Sequence, residues 1–439
     1  MAPSLLRLLL LTLSTTNLGL VAATAEKAPE GGSAEGLVYE AIDKQQQDVI
    51  TGNATTTTPQ KNKPPKKPPV DGWWESKICS GEYCVYTNRK LNKGRGLALV
   101  TRFAEYQKVE RIEEHLNKAD NKIEDPSLFT ETEVVDKGIG ITAAKTVRRG
   151  KKLLAVAPVL LVHTDLFKDV KKRVDRKKLL EAAVGYLPDE TRAIFDRQRW
   201  QGLAGAGEGR KKRSVEDIIL GAPFEVTLPF DMHAQEGHSR HYVHYPEMAV
   251  VGHDCRPNVA YHIDGSFAIK LTVARRAQVG EELTIAYIDP FWPRYKRQAW
   301  IEKRRGLGKP CSCKVCSLKE AELKESDERV NEIQDILALL KNHDSKDITE
   351  EMIDKFLVLV DKEKLSTKMA EFYEYAALNY NYLGFDVKAK KYADLAVQAG
   401  IIEEGADANG VVANRIFASD VKGHYSYRFT LKRRGNKKQ

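Results

Sequence analysis

Four cysteines carry the most definite chemistry in this chain. Cys311-Ser-Cys313-Lys-Val-Cys316 places three thiols within six residues. A tetrahedral zinc ion takes four nitrogen or sulfur ligands, so the triplet leaves it one short, and Cys255, roughly fifty residues upstream, supplies the fourth. Four thiolates leave no open position for a substrate, which makes the expected site structural. Cys255 stands in a turn-like heptapeptide, Gly252-His253-Asp254-Cys255-Arg256-Pro257-Asn258, which closes the apolar run from Met248 to Val251. Two cysteines are left over. Cys79 and Cys84 bridge if the chain folds in an oxidising compartment and stay free thiols if it does not.

Two other stretches invite a chemical reading. In Lys137-Gly138-Ile139-Gly140 a pair of glycines opens a strand, which lets backbone approach a ligand closely. A plain β-turn explains the same residues, and Gly94-Arg95-Gly96 is a competing copy. Tyr287 ends a strand pattern in phase with Leu283 and Ile285, so its ring is expected to point inward, where a lone tyrosine reads as an ordinary core aromatic.

Positioning these groups takes a sizeable core. The chain has 439 residues, 42% of them hydrophobic, enough for one large core and long enough for two or three domains. Trp73 to Thr101 predicts a small β unit and Phe103 to Ile123 a connecting amphipathic helix, together filling 71–135. Ile141 to Val147 and Leu153 to Val162, the latter broken by Pro158, read as strands. Leu166, Phe167, Val170, Val174, Leu179, Leu180 and Ala183 recur at helical spacing and predict a helical insert over about 164–245. Phe267, Ile269, Leu271 and Val273, then Leu283, Ile285 and Tyr287, alternate on either side of a turn at Gly280-Glu281, as two strands with one buried face do. Beyond Cys316, Val330, Ile333, Ile336, Leu337 and Leu340 begin an α-helical lobe over 318–400 that includes one tetratricopeptide-like hairpin around Gly384. Residues 401–439 read as an irregular basic tail.

The N-terminus speaks of targeting. Arg7 precedes the apolar runs Leu8–Leu13 and Leu18–Ala22, and Ala23-Thr24-Ala25 matches a small-x-small cleavage site, so residues 1–25 are expected to be a signal peptide. No second apolar stretch long enough to span a membrane follows in the mature chain. Residues 26–70, with Thr55 to Thr58 and Lys61-Asn-Lys-Pro-Pro-Lys-Lys-Pro-Pro69, are too polar and Pro-rich for a core and read as a disordered linker, with Asn53-Ala54-Thr55 a glycosylation sequon. The expected location is the secretory pathway or the exterior, with nucleus or cytoplasm the alternative. Lys plus Arg number 70 against 61 for Asp plus Glu, a surplus that solvated surface accounts for, so no direct nucleic-acid partner is expected.

Taken in order, Gly138-Ile139-Gly140, the heptapeptide, Gly280-Glu-Glu-Leu-Thr-Ile-Ala-Tyr287 and the cysteine triplet resemble a SET-domain protein lysine methyltransferase. The resemblance covers roughly 136 to 317, and the helical region behind it is similar to the C-terminal lobe of the SET-and-MYND branch and of uncharacterised fungal SET proteins. Six cysteines leave no ligands for a MYND finger. The resemblance implies an α+β fold, with a SET domain over 136–300, a post-SET zinc segment over 301–317 and the helical lobe behind. It implies S-adenosylmethionine as cofactor, lined by Lys137, Gly138, Ile139 and Gly140 and supported by His253 and Asn258. It implies Tyr287 as the active-site tyrosine and a lysine on a histone or other protein as substrate. Gly252 stands where the family has Asn, so one cofactor contact is missing. That departure supports a second expectation, a catalytically impaired SET fold acting as a secreted or lumenal binding module.

Overall fold

The structure is a computed structural model that describes residues 71–135, 137–199, 212–221, 224–228, 239–305 and 310–435. The expected leader, the linker and the sequon at Asn53 lie outside the described residues. Three strands come first, β1 (Trp73–Ser80), β2 (Tyr83–Asn88) and β3 (Leu97–Thr101), followed by helices α1 (Phe103–Arg111) and α2 (Glu113–Leu116). Next are β4 (Lys122–Ile123), the hairpin of β5 (Phe129–Val134) and β6 (Gly138–Ala143), then β7 (Lys152–Val156) and β8 (Leu160–His163). Helices α3 (Leu166–Asp169), α4 (Arg173–Tyr186), α5 (Asp189–Gln198) and α6 (Val215–Gly221) lead to β9 (Phe224–Thr227) and β10 (Arg240–His244). The short β11 (Gly252–His253), β12 (Val259–Ile263), β13 (Ile269–Val273) and β14 (Thr284–Ile285) follow. Helix α7 (Arg294–Arg305) precedes the cysteine triplet. Behind it come α8 (Glu320–Lys341), α9 (Glu350–Lys362), α10 (Met369–Tyr382), α11 (Asp386–Glu403), α12 (Asn409–Ser419) and α13 (Phe429–Gly435).

Six strands pair in the order β1-β2-β3-β8-β10-β9, with β3 and β8 parallel at the centre. This sheet is covered on both faces, which is why Leu97-Ala-Leu-Val100 and Val159-Leu-Leu-Val162 are unbroken apolar runs. Leu97, Leu99 and Leu161 enter the central core with Leu153, Ile269 and Leu271 of the four-stranded sheet β12-β13-β7-β4. Val100, Leu160 and Val162 face the other way, against Leu179, Leu180 and Ile218 of α4 and α6. The helical lobe has its own core, where Ala376 and Ala377 of α10 meet Ala389 and Ala393 of α11 beside Phe356 and Phe372. Small side chains there let the two helices approach closely.

Long-range pairing redraws several boundaries. The expected N-terminal β unit is no separate module, because β3 lies beside β8. Cys79 and Cys84 face each other across β1 and β2 and are disulfide-bonded. The helix expected over 103–123 breaks at Ile112 and ends at Leu116. Asn121, five residues further on in a left-handed conformation (φ 49°), ties the chain down, its amide donating to Asn92 O at 2.9 Å and accepting from Ala157 N at 2.6 Å. The apolar stretch Leu153 to Val162 is two strands in two different sheets.

The insert expected to be helical through 245 ends its helices at Gly221, and β9 and β10 return to the six-stranded sheet. Its strand pattern was masked by His241 and His244, both buried. His241 Nε2 meets Thr101 Oγ1 at 2.7 Å and His244 Nε2 meets Gln198 Oε1 at 3.0 Å. Burial pushes both imidazoles down to about 3, so they pack as neutral groups. Strand β12 was not expected at all. The tail over 401–439 is not irregular, since α12 and α13 fold back and Phe417 and Ala418 join the core of the lobe. Among the described residues no helix is long and apolar enough to cross a membrane.

Candidate functional site

Backbone pairing brings three distant stretches together. Ala143 N donates to Glu281 O and Leu283 N to Ile141 O, both at 2.8 Å, so the strand that begins at Gly138-Ile139-Gly140 runs beside Glu281 to Leu283. Thr284 and Ile285 then pair in parallel with Gly252 and His253. Asn258 laces the crossing. Its Oδ1 accepts from Thr284 N at 2.9 Å and its Nδ2 donates to Glu282 O at 2.9 Å and Glu281 Oε1 at 3.3 Å. With the side chain 1% exposed and its amide engaged at both ends, Asn258 positions the strand. Asp254 Oδ1 accepts from Arg256 N at 2.8 Å and holds the turn of the heptapeptide.

Tyr287 and His253 form one unit. The phenol hydroxyl of the half-buried Tyr287 donates to the carbonyl of Val251, and Tyr287 N donates to His253 Nδ1 at 3.1 Å. The two rings lie tilted with centroids 5.3 Å apart. On its other side His253 Nε2 meets Cys255 Sγ at 3.4 Å. Burial works against a charge on His253. The Tyr287 N–H aimed at Nδ1 needs that nitrogen unprotonated, so the proton sits on Nε2, toward sulfur. Both ring nitrogens are therefore engaged inside the fold. His253 thereby holds Tyr287 in place.

The sulfurs of Cys255, Cys311, Cys313 and Cys316 all lie within 4.8 Å of one another, and Cys255 Sγ is 3.7 Å from Cys316 Sγ. Four sulfurs at about 2.3 Å from a tetrahedral ion stand about 3.8 Å apart, so the donor set has the size of such a site. Hydrogen bonds from Cys311, Cys313 and Cys316 hold the Cys255 thiol far below its ordinary range, and the same sharing holds Cys313 and Cys316 above it. Arg297, 2% exposed, donates from Nε to Trp292 O at 3.0 Å and approaches Cys316 Sγ at 3.7 Å. A guanidinium is buried beside sulfur when the sulfur carries negative charge, as metal thiolates do. Ile288, Ile301 and Val315 close the cluster from solvent.

Two carboxylates beside these motifs escaped the sequence reading. Glu282 lies inside a motif already singled out, yet its partner is Lys137, whose Nζ donates to Glu282 Oε2 at 2.6 Å. Glu282 Oε1 is buried and has no hydrogen-bond partner among the described residues. It lies beside two glycines. A Cβ on Gly140 would stand 3.6 Å from it, and a Cβ on Gly252 would overlap it. So Glu282 fills the space that a side chain at 252 would take. Glu363, in the helical lobe, accepts on Oε2 from Arg256 Nε at 3.1 Å, Arg256 Nη2 at 2.9 Å and Ser326 Oγ at 3.0 Å, and on Oε1 from Arg329 Nε at 3.0 Å. Arg256 Nη1 also donates to Cys255 O at 2.7 Å, which ties the metal-ligand loop to the lobe.

Comparison with known proteins agrees with this convergence. The family model of the SET domain matches residues 138–288, from the first glycine of Gly138-Ile139-Gly140 to the residue after Tyr287. Among curated proteins nothing matches the chain. Two solved structures similar to it are ctPRC2 in an autoinhibited conformation bound to S-adenosylmethionine, at 11% identity, and apo ctPRC2 in an autoinhibited state, at 12%. Each covers 71% of this chain with a TM-score of 0.20. The chain spans about a third of the length of these solved chains, 33% and 34% respectively. Likeness at that level bears on neither the fold nor the ligands of this protein.

Proposed function

Because residues 138–288 are a SET domain, we propose that this protein is an S-adenosylmethionine-dependent protein lysine N-methyltransferase. The observation that carries the reading is Tyr287. Its hydroxyl hydrogen is held by the Val251 carbonyl, which fixes the oxygen in one place. An acceptor fixed in that way takes one N–H of an incoming lysine amine and leaves the nitrogen lone pair pointing in one direction. The amine has to arrive unprotonated, against an ordinary value of about 10.4, so it needs a water-poor channel. His253 fixes the backbone of Tyr287 from behind and keeps the phenol from drifting.

S-adenosylmethionine, when bound, supplies a methyl group already activated on sulfur. The backbone of Gly138 to Gly140 and the carboxylate of Glu282 are the groups that would hold it. The unpartnered Glu282 Oε1 beside two side-chain-free positions is the feature of this chain that fits a polar ligand there. Zinc fits the four cysteines, whose sulfurs have the spacing and the buried cationic neighbour that a tetrathiolate requires. Its place is structural, clamping Cys311 to Cys316 against the heptapeptide.

Transfer of labelled methyl to protein substrates tests the enzyme, with S-adenosylmethionine binding followed by calorimetry. Tyr287→Phe is expected to lower kcat about 100-fold, the usual effect of losing one preorganised polar group, with cofactor affinity unchanged. An unchanged rate would remove Tyr287 from the chemistry. Absence of cofactor binding at millimolar concentration would favour the second reading, a SET-fold binding module, which is supported by Gly252 standing where the family has Asn. We further propose that residues 1–25 are cleaved and the chain enters the secretory pathway. Native mass spectrometry of the purified protein reads leader, glycan at Asn53 and bound zinc together, and a full-length mass with no glycan would contradict export.

A further inference from the structure

Two segments that meet at one edge of the SET domain carry positive charge and no acid. Neither 144–152 nor 267–280 contains an Asp or Glu, and together they hold eight Lys or Arg. Val147 and Ala277 exchange backbone hydrogen bonds at 3.0 Å, Gly150 N donates to Val273 O at 2.8 Å, and Val273 N donates to Lys151 O at 2.9 Å. Arg148 and Arg149 therefore run antiparallel to Arg275 and Arg276, one strand spacing away. Val147, Val273 and Ala277 are buried in the central core, which leaves the arginines between them at the surface. Arg148, Arg149, Lys151, Lys152 and Arg276 are exposed. Arg148, Lys151 and Arg276 have no ion pair among the described residues. Acid from outside the two segments reaches only their margins. Glu281 takes Arg275 at 2.7 Å and Lys314 at 3.7 Å, and Glu403 lies close enough to Arg149 to feel its charge.

Like charges fixed one strand spacing apart repel, and an anion that bridges them removes that cost. Guanidinium forks match the paired oxygens of sulfate and phosphate esters, and a linear polyanion gains further by releasing condensed counterions. No aromatic side chain is exposed in either segment, so none stands ready to stack on a nucleic-acid base. We propose that this paired surface binds an anionic polysaccharide carrying sulfate or phosphate esters, which Arg148, Arg149 and Arg276 receive while Lys151 adds charge. The choice of a polysaccharide over nucleic acid rests on the secretory reading, with which the Cys79–Cys84 disulfide agrees. The surface itself rests on the backbone pairing alone.

Calorimetry on the full chain at about 0.15 M salt tests the surface and its occupant. The probes are a heparin oligosaccharide for sulfate esters, phosphomannan for phosphate esters, desulfated heparin, and a DNA duplex matched to the heparin in charge. Replacing the three unpaired cations together, Arg148→Gln, Lys151→Gln and Arg276→Gln, is expected to weaken the preferred polysaccharide about tenfold or more. The control is Lys171→Gln, Lys177→Gln and Lys178→Gln, which removes the same charge from exposed positions next to and on α4 and should change affinity less than about twofold. Thermal melting checks that both variants fold. Desulfated heparin should bind no better to wild type than heparin does to the first variant. Heparin bound more tightly than phosphomannan identifies sulfate as the ester, and the reverse identifies phosphate. Equal loss in the control overturns the surface, as does the absence of binding by both polysaccharides. Duplex DNA bound as tightly as the better polysaccharide overturns the assigned occupant. Leader cleavage is read separately by native mass, so failure of export and failure of the surface give different results.

Discussion

Glu363 and Glu282 are two carboxylates on either side of the same heptapeptide, and the chain satisfies them in opposite ways. Glu363 is 3% exposed and receives donors from Arg256, Ser326 and Arg329 on both oxygens. Glu282 receives one ammonium on one oxygen and leaves the other bare between glycines. A buried carboxylate whose lone pairs are all met acts as a joint, here fastening the cysteine loop to the helical lobe. One left half-met between two glycines carries an unsatisfied oxygen instead. Removing a partner should therefore cost much folding stability at Glu363 and little at Glu282.

The largest test of that contrast is Arg256→Met. It leaves Glu363 buried with Arg329 and Ser326 alone, and is expected to cost about 3–5 kcal/mol in urea unfolding. A loss below about 1 kcal/mol would show that the joint carries nothing.

A third carboxylate sharpens the comparison through pH. Glu403 is half-buried at the end of α11, which raises its pKa, and backbone N–H groups of Ala370 and Met369 bond it and offset part of that rise, leaving it at about 7. Between its ordinary 4.5 and about 7 the folded protein holds a proton that the unfolded chain has released. Stability is thus full below pH 4.5 and is expected to fall by about 3 kcal/mol as pH rises through 7. Unfolding at a series of pH values should show that slope in wild type and not in Glu403→Gln.

Smaller effects are expected at the other carboxylate. Gly252→Asn forces Glu282 off its present position, but the atom displaced is the end of a flexible side chain, so a stability loss of about 1 kcal/mol is expected. The Lys137–Glu282 pair should break with it, detectable as a changed affinity for S-adenosylhomocysteine. The smallest change in unfolding belongs to Glu282→Gln, within about 0.5 kcal/mol of wild type, because losing the ion pair is offset by removing a half-bonded buried charge. A loss as large as that of Arg256→Met would erase the distinction between the two carboxylates.

How far the chain could be read before folding depended on the reach of each signal. The alternation of Leu283, Ile285 and Tyr287 and the helical spacing from Val330 to Leu340 are local; the structure has the helix in full, but of the strand only Thr284–Ile285, with Tyr287 in a bend two residues beyond it. The strand at Arg240–His244 was hidden because buried histidines break the apolar pattern, their polarity being met by partners elsewhere in the chain, and the strand at Val259–Ile263 because His262 interrupts a short apolar run. The basic tail looked irregular for a similar reason, its few apolar residues finding a core only once α12 and α13 fold back.

By itself the sequence determined the order of motifs, and with it the SET domain, and the set of four cysteines, because ligand type and short spacing are chemical facts that need no fold. Only the tertiary structure decided what surrounds them. Arg256 and Glu363 lie 107 residues apart and Lys137 and Glu282 lie 145 apart, and nothing local marks either pair. Whether Asn258 and His253 face a ligand or the protein also depended on which strands became neighbours. Pairing partners follow from sheet order and chain crossing, and those are set by the whole core at once.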